Sequence, residues 1–271
     1  MMNTTDIMNI ALNLAGFDDV PGDSEIFHHG ENIRKILFGI DIRDDDLIRA
    51  KEMRMDLVIS HHPPNLTPGK RFVEVIDKQI EFMVAAGVPL KEARDAIVPI
   101  RKEYEFNPLR THDDIIALCR KLGMPLMNIH QPCDEVGRRI LQTVLDNLGQ
   151  EKTVRELINS YNDLEEIKKA GASAELVCGK LDANIGKAIL IHGAGTNGGY
   201  PVANTLFKYG VNIVVYIHLL PHQKADRERL KRENKGNLIT TGHYPSDALG
   251  INPLITELEC RGLEVVRCNG L

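Results

Sequence analysis

Imidazoles gathered at one edge of a sheet, with carboxylates among them, form a ligand set for a borderline divalent transition metal. Six of the ten histidines in this sequence stand just beyond a predicted strand. His61 and His62 follow DLVIS (56–60), His130 follows PLMNI (125–129), and His192 follows KAILI (187–191). His218 follows VNIVVYI (211–217), and His243 follows NLITT (237–241) after one glycine. Asp41 stands in the same way behind residues 33–40. In α/β sheets functional groups collect beyond the carboxyl ends of parallel strands. A neutral imidazole gives a nitrogen lone pair, and a carboxylate can bridge two cations and offset their charge. Two metals about 3.5–4 Å apart can activate one water between them. A single histidine at a strand end is an ordinary hydrogen-bonded residue; the adjacent pair His61-His62 is a stronger signal. Neighbours on a regular strand point to opposite faces, so sharing one site needs a turn, which Pro63 and Pro64 would enforce. His243 and Asp247, four residues apart, share one face if they lie on a helix, and Pro245 suits its first turn.

The elements that must position these groups alternate between short apolar runs and helical patterns, the mark of an α/β fold. Strands are expected at 33–40, 56–60, 125–129, 187–191, 211–217, 237–241 and 263–267, with a further one possible at 174–179. Helices are expected at the N-terminus and at 44–53, 72–104, 111–123, 135–148, 201–209, 223–233 and 252–261. Asn107 and Pro108 mark the break between two of these helices, and Thr111 could cap the second with Asp113 and Asp114 in its first turn. Residues 150–186 are polar and should hold one helix and a connection. This divides the chain into a first α/β domain at 1–150 with an extra helical hairpin near 72–123, a connection at 151–184, and a second α/β domain at 185–271.

Gly193, Gly195 and Gly198 spell GxGxxG between a strand and a helix, a context in which backbone N–H groups can cradle a phosphate. The next strand ends Val215-Tyr216-Ile217-His218 with no acidic residue, so a dinucleotide site is not expected. A close-packed turn is the stronger reading. The formal net charge of -5 argues against a broad grip on nucleic acid, and the basic run 227–235 reads as a solvated helix face. Five cysteines, odd in number and without CxxC spacing, suit a reducing cytoplasmic compartment. Cys133 reads as a small buried residue, although it stands beside Asp134. No apolar run approaches the ~18 residues of a membrane span.

Three motifs resemble those of the NIF-three-like family of dinuclear-metal proteins, which often carry the label type-two GTP cyclohydrolase I. DLVISHHPP (56–64) is similar to its Asp-hydrophobic-Ser-His-His-Pro element, NIHQPCD (128–134) to Ala-His-Thr-x-x-Asp, and TGHYPSD (241–247) to Gly-His-x-x-Ser-Glu. Carried over position by position, the family's metal ligands become His61, His62, Asp134, His243 and Asp247. His130 falls where the family has an active-site histidine. The resemblance also implies two α/β domains and a hexameric ring. Asp247 stands where the family usually has Glu, Gln131 where it has Thr, and the chain between His62 and His130 is longer by what reads as a helical hairpin.

The expected function is a metal-dependent hydrolase with two divalent ions (Zn, Fe, Mn, Co or Ni), a small-molecule substrate for which a nucleotide, a phosphoester and a cyclic amide are all open, and His130 as general acid or base. A metal carrier and a non-catalytic regulatory scaffold are the alternatives. Neither His192, His218 and His222 nor the glycine loop receives a role from the sequence.

Overall fold

A computed structural model describes residues 2–64, 71–105, 114–220, 223–233 and 235–271. The Asn107-Pro108 break, the Thr111 cap with Asp113, and His222 lie outside the described residues. The chain forms two compact units. One comprises residues 1–75, 104–136 and 247–271; the other comprises 76–103 and 137–246.

The first unit is built on β1 (Glu25–His28), β2 (Lys35–Gly39), β3 (Leu57–Ser60), β4 (Leu126–Asn128) and β9 (Glu264–Cys268), in the order β1-β4-β3-β2-β9. All neighbours are parallel except β1, which runs antiparallel to β4 at the edge. Parallel strands covered on both faces read as continuous apolar runs, as β3 does with LVIS fully buried. Alternation divides the core in two. Ile36, Phe38, Leu57, Ile59 and Met127 pack with α1 (Thr4–Ala15) and the distal part of α11 (His243–Cys260). Leu37, Val58 and Leu126 turn the other way, onto α2 (Asp44–Glu52) and α5 (Asp114–Leu122). The helix α1 starts at a capping box in which the Asn3 side chain accepts from Asp6 N and Asp6 accepts from Asn3 N, both at 2.9 Å.

The second unit repeats the plan. Its strands β5 (Glu175–Cys178), β6 (Ala188–Ile191), β7 (Ile213–Tyr216) and β8 (Asn237–Thr240) run in the order β5-β8-β7-β6, again with the first strand antiparallel at the edge. Both edge strands carry a register irregularity, between Ile26 and His28 and between Leu176 and Cys178. The helices α9 (Gly199–Lys208) and α10 (Lys224–Glu233) pack together, α9 on β7 and α10 on β5. The mixed α/β class expected from the sequence is the fold observed.

Several elements differ from expectation. The edge strand β1 was not foreseen. The stretch 72–104, expected to be helical throughout, divides into α3 (Phe72–Ala85) and α4 (Leu90–Glu105), because Gly87 takes φ +85° and Pro89 follows it. Residues 150–186 hold two helices rather than one, α7 (Val154–Asn162) and α8 (Glu165–Lys169). The helix expected at 135–148 begins at Gln131 as α6 (Gln131–Leu148), and α11 begins nine residues ahead of the expected 252.

Tyr161, on α7, is fully buried, and its hydroxyl has no hydrogen-bond partner among the described residues. Burial, assisted by Asp146, pushes its pKa up. An unpaired buried hydroxyl costs about 1–3 kcal/mol. Tyr161→Phe is therefore expected to stabilise the protein by about 1 kcal/mol, seen as a higher urea midpoint; a lower midpoint would mean that the hydroxyl is bonded in solution.

Candidate metal centre

The site begins with an irregularity after β3. His61 N bonds to Gly39 O and His62 N to Ile40 O, both at 2.9 Å. In a regular parallel ladder only alternate residues face a given neighbour. Consecutive bonds to β2 show that the chain leaves strand geometry here, as the two prolines required. The Ser60 hydroxyl fixes the departure by donating to His62 O at 2.7 Å. The two rings thereby come to one side, with centroids 5.0 Å apart.

His130 ends the chain's run beyond β4 and opens α6, its carbonyl accepting from Asp134 N at 3.1 Å. Its ring lies 4.9 Å from that of His61 and 5.5 Å from that of His62. Asp134 sits in the first turn of α6, where the helix dipole favours a carboxylate. Asp247 sits early in α11. Each carboxylate faces two imidazoles. Asp134 places Oδ1 3.2 Å from His61 Nε2 and Oδ2 3.6 Å from His130 Nε2. Asp247 places Oδ1 3.8 Å from His61 Nε2 and Oδ2 3.5 Å from His62 Nε2. His61, His130 and both carboxylates are buried, and His62 is nearly so.

The far side of each ring is anchored. His61 Nδ1 bonds to the Ile129 carbonyl at 3.1 Å, His62 Nδ1 to Asp41 Oδ1 at 2.8 Å, and His130 Nδ1 to Asp23 Oδ2 at 2.8 Å. These oxygens can only accept, so each Nδ1 donates. Every Nε2 is then turned toward the carboxylates, the arrangement by which proteins orient histidine ligands. Potential ligand atoms of His61, His62 and His130, and likewise of His61, Asp134 and Asp247, lie within 4.8 Å of one another. These buried groups could hold a metal ion.

The charge balance agrees. Burial alone would lower the pKa of His62, but hydrogen bonds and charge from Asp247 and Asp41 outweigh it and raise the value to about 10. His130 is likewise raised, with the charges of Asp134 and Asp23 outweighing burial. The carboxylates impose a negative potential, and without a cation His62 and His130 answer it with protons.

The fold is shared with solved structures. A family model, Duf34/NIF3 (NGG1p interacting factor 3), matches residues 26–90. The crystal structure of a NIF3 superfamily protein from Sphaerobacter thermophilus has a TM-score of 0.91 and 40% identity, covering 100% of this chain and 99% of that one. This chain belongs to the NIF3 superfamily. Reduced HcgD from Methanocaldococcus jannaschii (TM-score 0.58) and TTHA1606 from Thermus thermophilus (TM-score 0.55) are each 15% identical, with 98% of this chain and 97% of theirs covered, and share the fold. No curated protein matches.

Of the residues singled out in this NIF3 superfamily member, the first unit brings together His61, His62, His130, Asp134 and Asp247. His243 stands one helical turn before Asp247 on α11 and belongs to the second unit. Its ring stacks on His218, at 4.2 Å and 14° between planes, and lies 5.5 Å from Tyr244. Sequence reasoning left two anchors out. Asp41 was visible behind a strand but given no partner, and Asp23 gave no signal. A duplicated motif also escaped notice: β4 leads into His130-Gln-Pro-Cys-Asp134 and β8 into His243-Tyr-Pro-Ser-Asp247. Strand register strengthens the parallel, since Ser60 sits beside Gly39 and Asn128 as Tyr216 sits beside Ile191 and Thr240. His62 and His218, each two residues further on, therefore occupy corresponding places.

The glycine loop of this NIF3 protein is a close-packed turn. Gly193, Gly195 and Gly199 have positive φ, and a Cβ on Gly199 would lie 2.7 Å from Asp226 Oδ2. That carboxylate accepts from Tyr200 N at 2.9 Å, and Asn197 Oδ1 accepts from Gly199 N at 2.8 Å. An internal anion thus takes the place a phosphate would occupy at the start of α9. The inserted helix α3 braces the same turn, with buried Gln79 Nε2 donating to Thr196 O at 3.0 Å. Asp226→Ala should remove a helix cap and cost about 1 kcal/mol; an unchanged unfolding midpoint would deny Asp226 that role. The run 227–235 behaves as a solvated face where it is described, with Arg229 paired to Glu233 and Arg227 to Glu175.

No helix among the described residues is long and apolar enough to cross a membrane.

Proposed function

We propose that this protein holds two divalent cations through His61, His62, Asp134, His243 and Asp247 and hydrolyses a small molecule, with nucleotides and phosphoesters the first class to test. The observation that carries the proposal is the set of anchored imidazoles turned toward two buried carboxylates. Such a donor set fits borderline divalent ions. When bound, a pair of them supplies Lewis acidity and a water whose pKa falls toward ~7.

The protein's own groups do the rest. Asp134 and Asp247 each present two oxygens in different directions, which suits carboxylates that serve more than one cation. Asp41 fixes the ring of His62. His130, the imidazole outside the five proposed ligands, is placed to accept or return a proton at Nε2. A GTP cyclohydrolase-like reaction is one member of the proposed class, and it rests on the motif resemblance.

The test is metal analysis of protein purified without oxygen, beside His61→Ala and Asp247→Ala, followed by turnover assays on GTP, other nucleotides and phosphoesters. Stoichiometric metal in the wild type, lost in both variants, with turnover of one substrate supports the proposal. Wild type without metal overturns it. Bound metal without turnover of any substrate overturns the hydrolase reading in favour of a carrier.

A further inference from the structure

Asp23 lies on the loop ahead of β1, and its side chain is completely buried. A buried carboxylate is costly unless it is paired and hydrogen-bonded. Its strongest side-chain contact is the 2.8 Å bond to His130 Nδ1. The surrounding loop is clamped to β4. Asn128 Nδ2 donates to Asp23 O at 2.6 Å, and Asn128 Oδ1 accepts from Glu25 N at 2.9 Å. His130 N donates to Ser24 Oγ at 3.0 Å. Both the backbone and the ring of His130 are thus tied to two consecutive residues more than 100 positions away in sequence.

The three rings of the site are not anchored alike. His61 uses a backbone carbonyl, and His62 uses Asp41, whose side chain is 40% exposed. His130 alone has a fully buried carboxylate behind it. A carboxylate can accept but never donate, so it admits only the Nδ1–H tautomer and stabilises any positive charge the ring takes up. A carboxamide of the same shape could donate to Nδ1 and put the hydrogen on Nε2 instead.

We infer that Asp23 is the positioning residue of the site: it holds His130 as the Nδ1–H tautomer, so that Nε2 faces Asp134 with its lone pair exposed. The inference deepens the hydrolase reading by giving His130 a partner that decides which nitrogen handles the proton. The tautomer itself does not depend on that reading.

The test uses zinc-loaded protein labelled with nitrogen-15 at histidine. Imidazole correlation spectra at mildly alkaline pH distinguish protonated from bare nitrogens, and His130→Gln identifies the His130 signals. Wild type should show His130 protonated at Nδ1 and bare at Nε2. Asp23→Asn should move the hydrogen to Nε2 or yield a mixture of tautomers, while the His61 and His62 signals stay in place and report an intact fold. Ser24→Ala removes the backbone tie and the 3.4 Å hydroxyl bond to Asp23 Oδ1 but keeps the carboxylate on Nδ1, and should leave the tautomer unchanged. Once a substrate is in hand, Asp23→Asn should lower kcat about 100-fold or more with zinc content unchanged. A bare Nδ1 in the wild type, or a His130 spectrum that Asp23→Asn does not move, would overturn the inference. Should Asp23→Asn misfold, the wild-type spectrum and Ser24→Ala still decide it. Failure to bind zinc refutes the proposed function; the tautomer is then read in the metal-free protein at a pH high enough to deprotonate His130, where a bare Nδ1 overturns the inference.

Discussion

Asp134→Ala is expected to lose divalent metal by 100-fold or more in affinity, while the metal-free protein stays folded. The carboxylate stands 3.2 Å from His61 and 3.6 Å from His130, so its removal takes an oxygen from beside both rings. Asp247 cannot fill the gap, since its Oδ1 is already 3.8 Å from His61 and its Oδ2 faces His62. Stability should fall as well. In the absence of a cation Asp134 helps to hold the proton on buried His130, so deleting it leaves that ring with less compensating negative charge. The melting temperature of the metal-free variant is therefore expected to lie below that of the metal-free wild type. Metal content after dialysis and scanning calorimetry give the two readouts. Retention of stoichiometric metal by the variant would remove Asp134 from the ligand set.

Metal affinity is also expected to rise steeply with pH. Asp247 and Asp41 outweigh burial and lift His62 to about 10, so its ring is protonated through the neutral range when no cation is bound. A cation must displace that proton, and each proton released makes affinity change about tenfold per pH unit. The sign follows from the raised value: below it the protonated form competes, so affinity falls as pH falls. From about pH 8 to about pH 6 the loss should reach roughly 100-fold for one proton, and more if His130, raised in the same direction, releases a second. Zinc titrations across that range, with proton release followed in weakly buffered solution, measure both the slope and the number. An affinity independent of pH would mean that His62 is not displaced from its carboxylates by metal.

Much of this architecture is written locally. Parallel strands buried on both faces must be apolar throughout, so LVIS and IVVY announce themselves. The strand β1, four residues of an antiparallel edge with an exposed glutamate, has no such run. The first turns of α11 were hidden by Gly250 and Pro253, residues that speak against a helix in isolation but are tolerated where tertiary packing holds it, as Ile251, Leu254 and Ile255 do in the core. At the site, the histidines were legible because strand ends locate them, Asp247 because it stands four residues after His243, and Asp134 through the motif resemblance. Asp23 and Asp41 reach their rings only through the folded sheet, across 107 and 21 residues, and no local pattern encodes such contacts. The second histidine motif was present in the sequence as a copy of the first, separated by a whole unit.

The first unit is closed by residues 247–271, while its opening anchor is Asp23. During synthesis the pocket therefore waits until residue 247 has been added. Until Asp247 emerges, His61 and His62 are displayed without one of their two carboxylates, and a stalled or truncated nascent chain offers only a partial grip. Under the proposed function, full loading with cation would then follow the arrival of Asp247.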